Sequence, residues 1–171
     1  KAGRLAFVPV GNSLRPMADL LTASFSALPD VTLLERAEIE RVIREQSLAA
    51  TLGRDPLKLG QLLGADGVLL LETNTVGNVA MAGARLVAVG PGVVLGEWLA
   101  PFPVQDAAGW SARVTKDAAP KLNKLAVSRA QATPISLLGV RMVVNAPDTL
   151  AVQQGLSRLL AHRLTQEPEL F

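Results

Sequence analysis

The sequence of 171 residues contains no cysteine and a single histidine, His162. Without cysteine the chain can form no disulfide, and it offers neither a thiolate nucleophile nor a sulfur ligand for a metal. One histidine alone is a poor basis for a zinc site or for a triad of serine, histidine and aspartate. These absences leave the redox compartment open and argue against metal-dependent and nucleophilic enzymes.

Aromatic residues, an excess of one charge and long hydrophobic runs are also scarce. Aromatics make up 4% of the chain, but hydrophobic residues reach 49%, so the core should consist mainly of leucine, valine and alanine. The net charge is only +2 and the basic residues are scattered, which gives no sign of a nucleic-acid surface. No apolar run approaches the roughly 20 residues of a membrane-spanning helix.

Motifs for phosphate binding and acid–base catalysis are missing as well. Gly90-Pro91-Gly92 lacks the spaced glycines and the following helix of a phosphate-binding loop. None of the carboxylates lies in an apolar stretch that would raise its pKa. We therefore expect no enzymatic activity, no cofactor and no metal. A hydrolase ranks last because no residue would activate its nucleophile.

Hydrophobic periodicity in the first half of the chain predicts two buried strands and three helices. The apolar runs at 4–10 and 31–34 do not alternate, as expected for strands covered on both faces. Helical spacing follows each run. The dipeptide Asp55-Pro56 provides a capping acid and a first-turn proline for a further helix, which Gly64 is placed to end.

Three more strands and a helix are predicted in the second half. Segments 67–75, 79–89 and 93–101 are joined by tight turns, which indicates antiparallel neighbours. A helix should follow, interrupted near Pro120. The resulting order β-α-β-α-α-β-β-β-α predicts an α/β fold, with a mixed five-stranded sheet and helices packed against it.

The last third of the sequence repeats the pattern of the first. The apolar run at 135–140 corresponds to that at 5–10, and Leu159-Leu160 corresponds to Leu20-Leu21. We therefore predict a domain at 1–129, followed at 130–171 by a linker and the opening strand and helix of a second, truncated repeat. The inner face of that helix, expected to pack on the first domain or on another copy, would comprise Val152, Leu156, Leu159, Leu160 and Leu164.

Several sequence segments carry a resemblance to a known family. They are Val31-Thr32-Leu33-Leu34-Glu35-Arg36 with the helix after it, the run from Leu62 to Val68, and Ala84 to Val89 with the glycine turn and the strand that follow. Together they resemble the domain of the curli secretion (CsgG-like) superfamily. That domain is itself similar to the amino-terminal domain of the Tol translocation protein and to lipoprotein activators of peptidoglycan synthases. The resemblance covers roughly residues 4 to 125.

The resemblance implies a non-enzymatic protein of the bacterial cell envelope, in the periplasm or at the inner face of the outer membrane. It would act by binding other envelope proteins or by self-association, and peripheral or lipid-anchored membrane attachment is compatible with it. The segments between Gly67 and Pro103 are too short for inserted membrane hairpins, and Arg85 interrupts any lipid-facing row. We therefore do not expect a pore.

Six residues are candidates for an interaction surface, namely Glu35, Arg36, Arg41, Arg44, Trp98 and Trp110. Each has a plainer alternative. Glu35 could cap the next helix while Arg36 pairs locally, and the charged run could be a solvated surface held by Glu38/Arg41, Glu40/Arg44 and Arg41/Glu45 pairs. The tryptophans could anchor an interface or be buried against the sheet.

A small-molecule binding module is the alternative function. In α/β sheets, ligands often bind outside the carboxyl ends of the central strands. In this chain those ends would lie near Gly11-Asn12-Ser13 and Glu35-Arg36.

Overall fold

The computed structural model describes residues 3–45, 55–76, 79–132, 135 and 149–165. Within these ranges the element order predicted from the sequence is confirmed, with short 3-10 segments added. The elements are β1 (Gly3–Pro9), a 3-10 turn (Asn12–Leu14), α1 (Arg15–Ser26), β2 (Val31–Leu33), α2 (Arg36–Glu45), α3 (Pro56–Leu62), β3 (Gly67–Val76), β4 (Val79–Ala88), β5 (Val93–Pro101), α4 (Ala107–Ala118), a 3-10 helix (Ala119–Ala126) and α5 (Thr149–Leu164).

The strands form one mixed sheet in the order β2-β1-β3-β4-β5. β1 is parallel to both β2 and β3, whereas β3, β4 and β5 are antiparallel neighbours. The predicted sheet is therefore confirmed, but the position expected for β2 is wrong. β2 is a three-residue edge strand that is only partly buried, because the chain crosses back over β1 to form β3 on its other side.

Helices cover both faces of the sheet. α1, α4 and the 3-10 helix pack on one face, where Phe7 and Phe25 meet edge to face with ring centroids 5.2 Å apart. α2 and α3 cover the other face over β1 and β3, through Ile39, Leu59 and Leu63. The amphipathic spacing predicted for these helices is confirmed. Two leucines of these helices, Leu20 and Leu62, are exposed, at 38 and 42%.

The residues predicted to start and end helices do so in the structure. The Asp55 carboxylate accepts a hydrogen bond of 2.9 Å from the backbone N–H of Lys58, which caps α3 ahead of Pro56. Gly64 follows the helix with φ of 58°, a left-handed conformation that favours glycine. The interruption expected near Pro120 is present, because α4 ends at Ala118 and continues as the 3-10 helix.

The terminal helix α5 lies against the part of the chain from β1 to the 3-10 helix, which we call the first unit. It contacts β3 and β5, and the Lys121 ammonium donates a hydrogen bond to the backbone carbonyl of Thr165. The segment 136–140, expected as the strand of a second repeat, and the expected capping residue Asp148 lie outside the described residues. The repeat therefore stays a prediction.

The face of α5 that was predicted to pack on the first domain or on another copy is largely uncovered within the single chain, and packing on another copy stays a prediction. Four residues of its supposed inner face are exposed rather than buried, at fractions of 49, 43, 60 and 41% for Val152, Leu156, Leu159 and Leu160. Leu164 is partly buried. The row is exposed because α5 meets the sheet only along part of its surface. Across the part of the chain that the structure describes, no helix is both long and apolar enough to span a membrane.

Candidate functional site

A cavity of about 410 Å³ opens where β1 ends, between the start of α1 and the side of α2; we call it the carboxyl-end cavity. Its floor is apolar, with Val8 and Ile39 almost fully buried. Three guanidinium groups and one carboxylate stand around it, from Arg15, Arg36, Arg44 and Glu40. The cavity is thus an apolar recess with a strongly basic rim.

The rim is organised by ion pairs between α1 and α2. The Glu40 carboxylate lies 3.2 Å from Nε of Arg36 and 3.6 Å from a guanidinium nitrogen of Arg15. Arg36 also reaches Asp19 at 3.1 Å. In the described part of the chain, none of the three pairs predicted within α2 is found. Glu40 pairs with Arg36 and Arg15 instead of Arg44. Arg44 has no hydrogen-bond or ion-pair partner among the described residues.

The backbone at the mouth of this cavity bends after β1. Gly11 has φ of 95°, and the space where its side chain would begin is open. The backbone N–H of Arg15 donates to the carbonyl of Asn12, and Pro16 has no N–H, so neither residue at the start of α1 offers a free backbone donor. The side chains therefore determine the polarity of the rim.

A second cavity, of about 680 Å³, lies between the first unit and α5; we call it the α5 cavity. Its wall is mostly apolar and includes Met81 and Leu99 of the sheet, with Arg113 and Asp117 of α4 also lining it. α5 contributes Gly155 and Leu159 to the same wall. This space is chemically unlike the first one, since its lining is dominated by hydrocarbon.

The two tryptophans form the deep side of the α5 cavity. Trp98 and Trp110 are only 5 and 3% exposed, so they are not the exposed anchors that one interpretation expected; burial against the sheet is what the structure shows. The Trp98 indole folds back over Gly96, where an added Cβ would approach a ring carbon to 2.2 Å. Its indole N–H is buried and has no hydrogen-bond partner among the described atoms.

Lys121 links this tryptophan to the end of α5. Its ammonium nitrogen lies 5.9 Å from the Trp98 ring centroid while it donates to the Thr165 carbonyl. Burial lowers the pKa of Lys121, neighbouring Lys124 adds to this effect, and Asp117 partly opposes it. The residue therefore joins α5 to the first unit at the cost of partial desolvation of a cation.

The structure separates the six sequence candidates into three groups. Arg36 and Arg44 meet at the carboxyl-end cavity, and Trp98 and Trp110 meet at the α5 cavity. Glu35 and Arg41 are exposed and line neither cavity. The backbone carbonyl of Glu35 accepts a helical bond from Ile39.

Sequence reasoning missed Arg15, which the structure places beside Arg36 and Arg44. Its position directly after the loop that follows β1 was the signal that could have identified it. No group of three potential metal ligands is found within the described ranges.

No protein-family model matches the sequence, and the comparison with curated proteins gives no match. Solved structures similar to this chain include lipoprotein GNA1162 from Neisseria meningitidis, with 24% identity over 58% of this chain and 79% of that one, at a TM-score of 0.48. The C-terminal domain of LpoB from Salmonella enterica has 15% identity over 59 and 82% of the two chains, at a TM-score of 0.45.

TolB from Acinetobacter baumannii is similar over 72% of this chain and 28% of its own length, with 13% identity and a TM-score of 0.50. At this level of identity the similarity concerns the fold. The structural neighbours thus include a lipoprotein, a domain of LpoB and TolB, and the α/β fold of this chain is one that TolB shares.

Proposed function

We propose that this protein is a non-enzymatic binding protein of the bacterial cell envelope, of the CsgG-like type, that acts in the periplasm or at the inner face of the outer membrane. Its activity would be contact with other envelope proteins or with a second copy of itself. The sequence resemblance supports the family and compartment, and the fold shared with TolB is compatible with both.

The observation that carries a contact function is the apolar row on α5. Val152, Leu156 and Leu159 are 49, 43 and 60% exposed. Contiguous exposed apolar groups on a folded protein mark interaction surfaces, because their burial in a complex is favourable. Single exposed leucines are common on protein surfaces, but here several apolar side chains lie next to each other on one helix. The row therefore predicts a protein partner for α5.

The spacing of the row indicates the geometry of that partner. The intervals of four and three residues between Val152, Leu156 and Leu159 are those of a heptad seam, which suits packing against another helix. The same seam on a second copy is self-complementary about a two-fold axis. We therefore propose self-association through α5 as the first contact, with an amphipathic helix of another envelope protein as the alternative occupant.

The experiment measures the oligomeric state of the intact chain by size-exclusion chromatography with light scattering. We expect a concentration-dependent dimer that Leu156→Glu converts to a monomer, because a carboxylate in an apolar seam must be desolvated. Gln153→Glu is the matched control, since it adds the same charge to the same helix outside the row. It should leave the dimer intact.

A monomeric wild-type chain would overturn self-association. The alternative occupant would then be tested by comparing envelope proteins captured by the wild type, Leu156→Glu and Gln153→Glu. A partner lost only with Leu156→Glu supports the binding function. A monomer whose captured proteins do not depend on the row would contradict it.

The small-molecule alternative also has a specific structural observation in its favour, because the carboxyl-end cavity lies where that hypothesis placed a ligand. Its ligand class is argued separately, since it concerns a different surface of the molecule.

A further inference from the structure

The carboxyl-end cavity occupies a position that the sheet topology creates. β1 lies between β2 and β3 and is parallel to both; the connection from β1 to β2 runs over one face of the sheet, and the connection from β2 to β3 runs over the other. α1 and α2 therefore reach the end of β1 from opposite faces, where ion pairs join them. Open α/β sheets bind ligands at such a point, outside the carboxyl ends of strands whose connections run in opposite directions.

The charges around the cavity are unbalanced. Arg15, Arg36 and Arg44 line the cavity together with one carboxylate, that of Glu40. A second carboxylate, that of Asp19, pairs with Arg36 at 3.1 Å. Three positive charges therefore meet two negative ones. Arg15 and Arg36 both use Glu40, and each guanidinium has five N–H donors, so donors remain beyond those pairs. Arg44 has no partner among the described residues and contributes five further N–H donors. The ion pairs hold the first two groups in place without neutralising the rim.

From these features we infer that the carboxyl-end cavity binds a small molecule with two or more carboxylate or phosphate groups. Guanidinium forks match the geometry of both groups and bind them bidentately. The volume of about 410 Å³ falls in the range of small-molecule pockets. Ile39 and Val8 on the floor would contact an apolar part of the same ligand. The site is independent of the proposed contact through α5.

The test is isothermal titration calorimetry of the intact chain at low ionic strength, with pyrophosphate, citrate and the neutral sugar ribose as probes. We expect pyrophosphate, citrate or both to bind and ribose not to bind. Binding of pyrophosphate alone would indicate a phosphorylated ligand, and binding of citrate alone a carboxylated one.

Two glutamine variants on one helix make the test specific. Arg44→Gln should weaken binding of the better probe about ten-fold, as expected for loss of a charge-assisted hydrogen bond. Arg41→Gln removes the same charge from an exposed position outside the cavity and should change the affinity less than two-fold. Arg44 forms no described ion pair, so its replacement should not disturb folding.

Equal losses in the two variants would show general attraction of anions to a basic protein and would overturn the site. Failure of both anions to bind would overturn it as well. The contact variant Leu156→Glu, far from the cavity in sequence and on another element, should bind the anion like wild type. A failure of this site can therefore be told apart from a failure of self-association.

Discussion

Two helices that the predicted repeat pairs with each other, α1 and α5, differ in how far their leucines are buried. In α1 one leucine of the pair, Leu20, is 38% exposed, whereas Leu21 and the later Phe25 are completely buried in the larger core. In α5 both leucines of the corresponding pair, Leu159 and Leu160, are exposed, at 60 and 41%. Periodicity thus predicts which face of a helix is apolar, whereas the covering surface must come from the rest of the fold.

The reason for the difference lies in what each helix packs against. α1 packs on the sheet beside α4, so its apolar stripe meets β1, β2 and α4. α5 contacts β3 and β5 and is joined to the 3-10 helix through Lys121 and Thr165. Its contacts therefore hold the helix in place while the apolar row stays accessible.

The largest effect that tests this comparison is the difference in stability loss between the same leucine-to-alanine substitution in α1 and in α5. Leu21→Ala should lower the free energy of unfolding by about 2–5 kcal/mol, because a fully buried leucine leaves a cavity when it is truncated. Leu156→Ala, at a 43% exposed position, should cost less than about 1 kcal/mol in the monomer. Urea denaturation at low protein concentration measures both. Equal losses would contradict the difference in burial.

A smaller effect is expected where α5 is joined to the first unit. Lys121→Met removes the hydrogen bond to the Thr165 carbonyl and the cation above Trp98. We expect about five-fold faster hydrogen exchange in the last turn of α5, corresponding to about 1 kcal/mol for one hydrogen bond. Lys116→Met, at an exposed position on α4, is the control and should leave this exchange unchanged. Unaltered exchange in both variants would exclude Lys121 as a link.

The smallest effect is a pH dependence of stability. Burial lowers the pKa of Lys121 below its ordinary value of 10.5, so between the lowered pKa and 10.5 the unfolded chain binds this proton more tightly than the folded chain. Unfolding then takes up a proton, and stability rises with pH across that window. The free energy of unfolding of wild type, relative to Lys121→Met, should increase as the pH approaches 10.5. A decrease would reverse the assigned direction.

Much of the fold could be predicted because its signals are local. The capping residue Asp55 and the proline after it mark the start of α3, and Pro120 marks the break after α4. The tight turn at Gly90-Pro91-Gly92 is enough to make β4 and β5 antiparallel neighbours. In each case a few adjacent residues determine the backbone conformation.

What could not be predicted depends on contacts distant in the sequence. The edge position of β2 follows from which side of β1 the chain returns to, and Val31 and Leu33 carry no mark of it. The pairing of Glu40 with Arg15 requires α1 and α2 to come together, so only pairs within α2 were foreseen. For the same reason, only some residues of the carboxyl-end cavity could be predicted. Arg36 and Arg44 were identified from one helix, whereas Arg15 joins them through the topology.

Because residue 96 is a glycine, the residues at positions 96 and 98 of β5 cannot be substituted independently of each other. Because the Trp98 indole fills the volume that a residue-96 side chain would need, any such side chain evicts the ring. A substitution at 96 that is harmful alone should therefore become tolerable once residue 98 is small. Variants of this chain should change the two sites together, and a library that randomises each site singly would misjudge both.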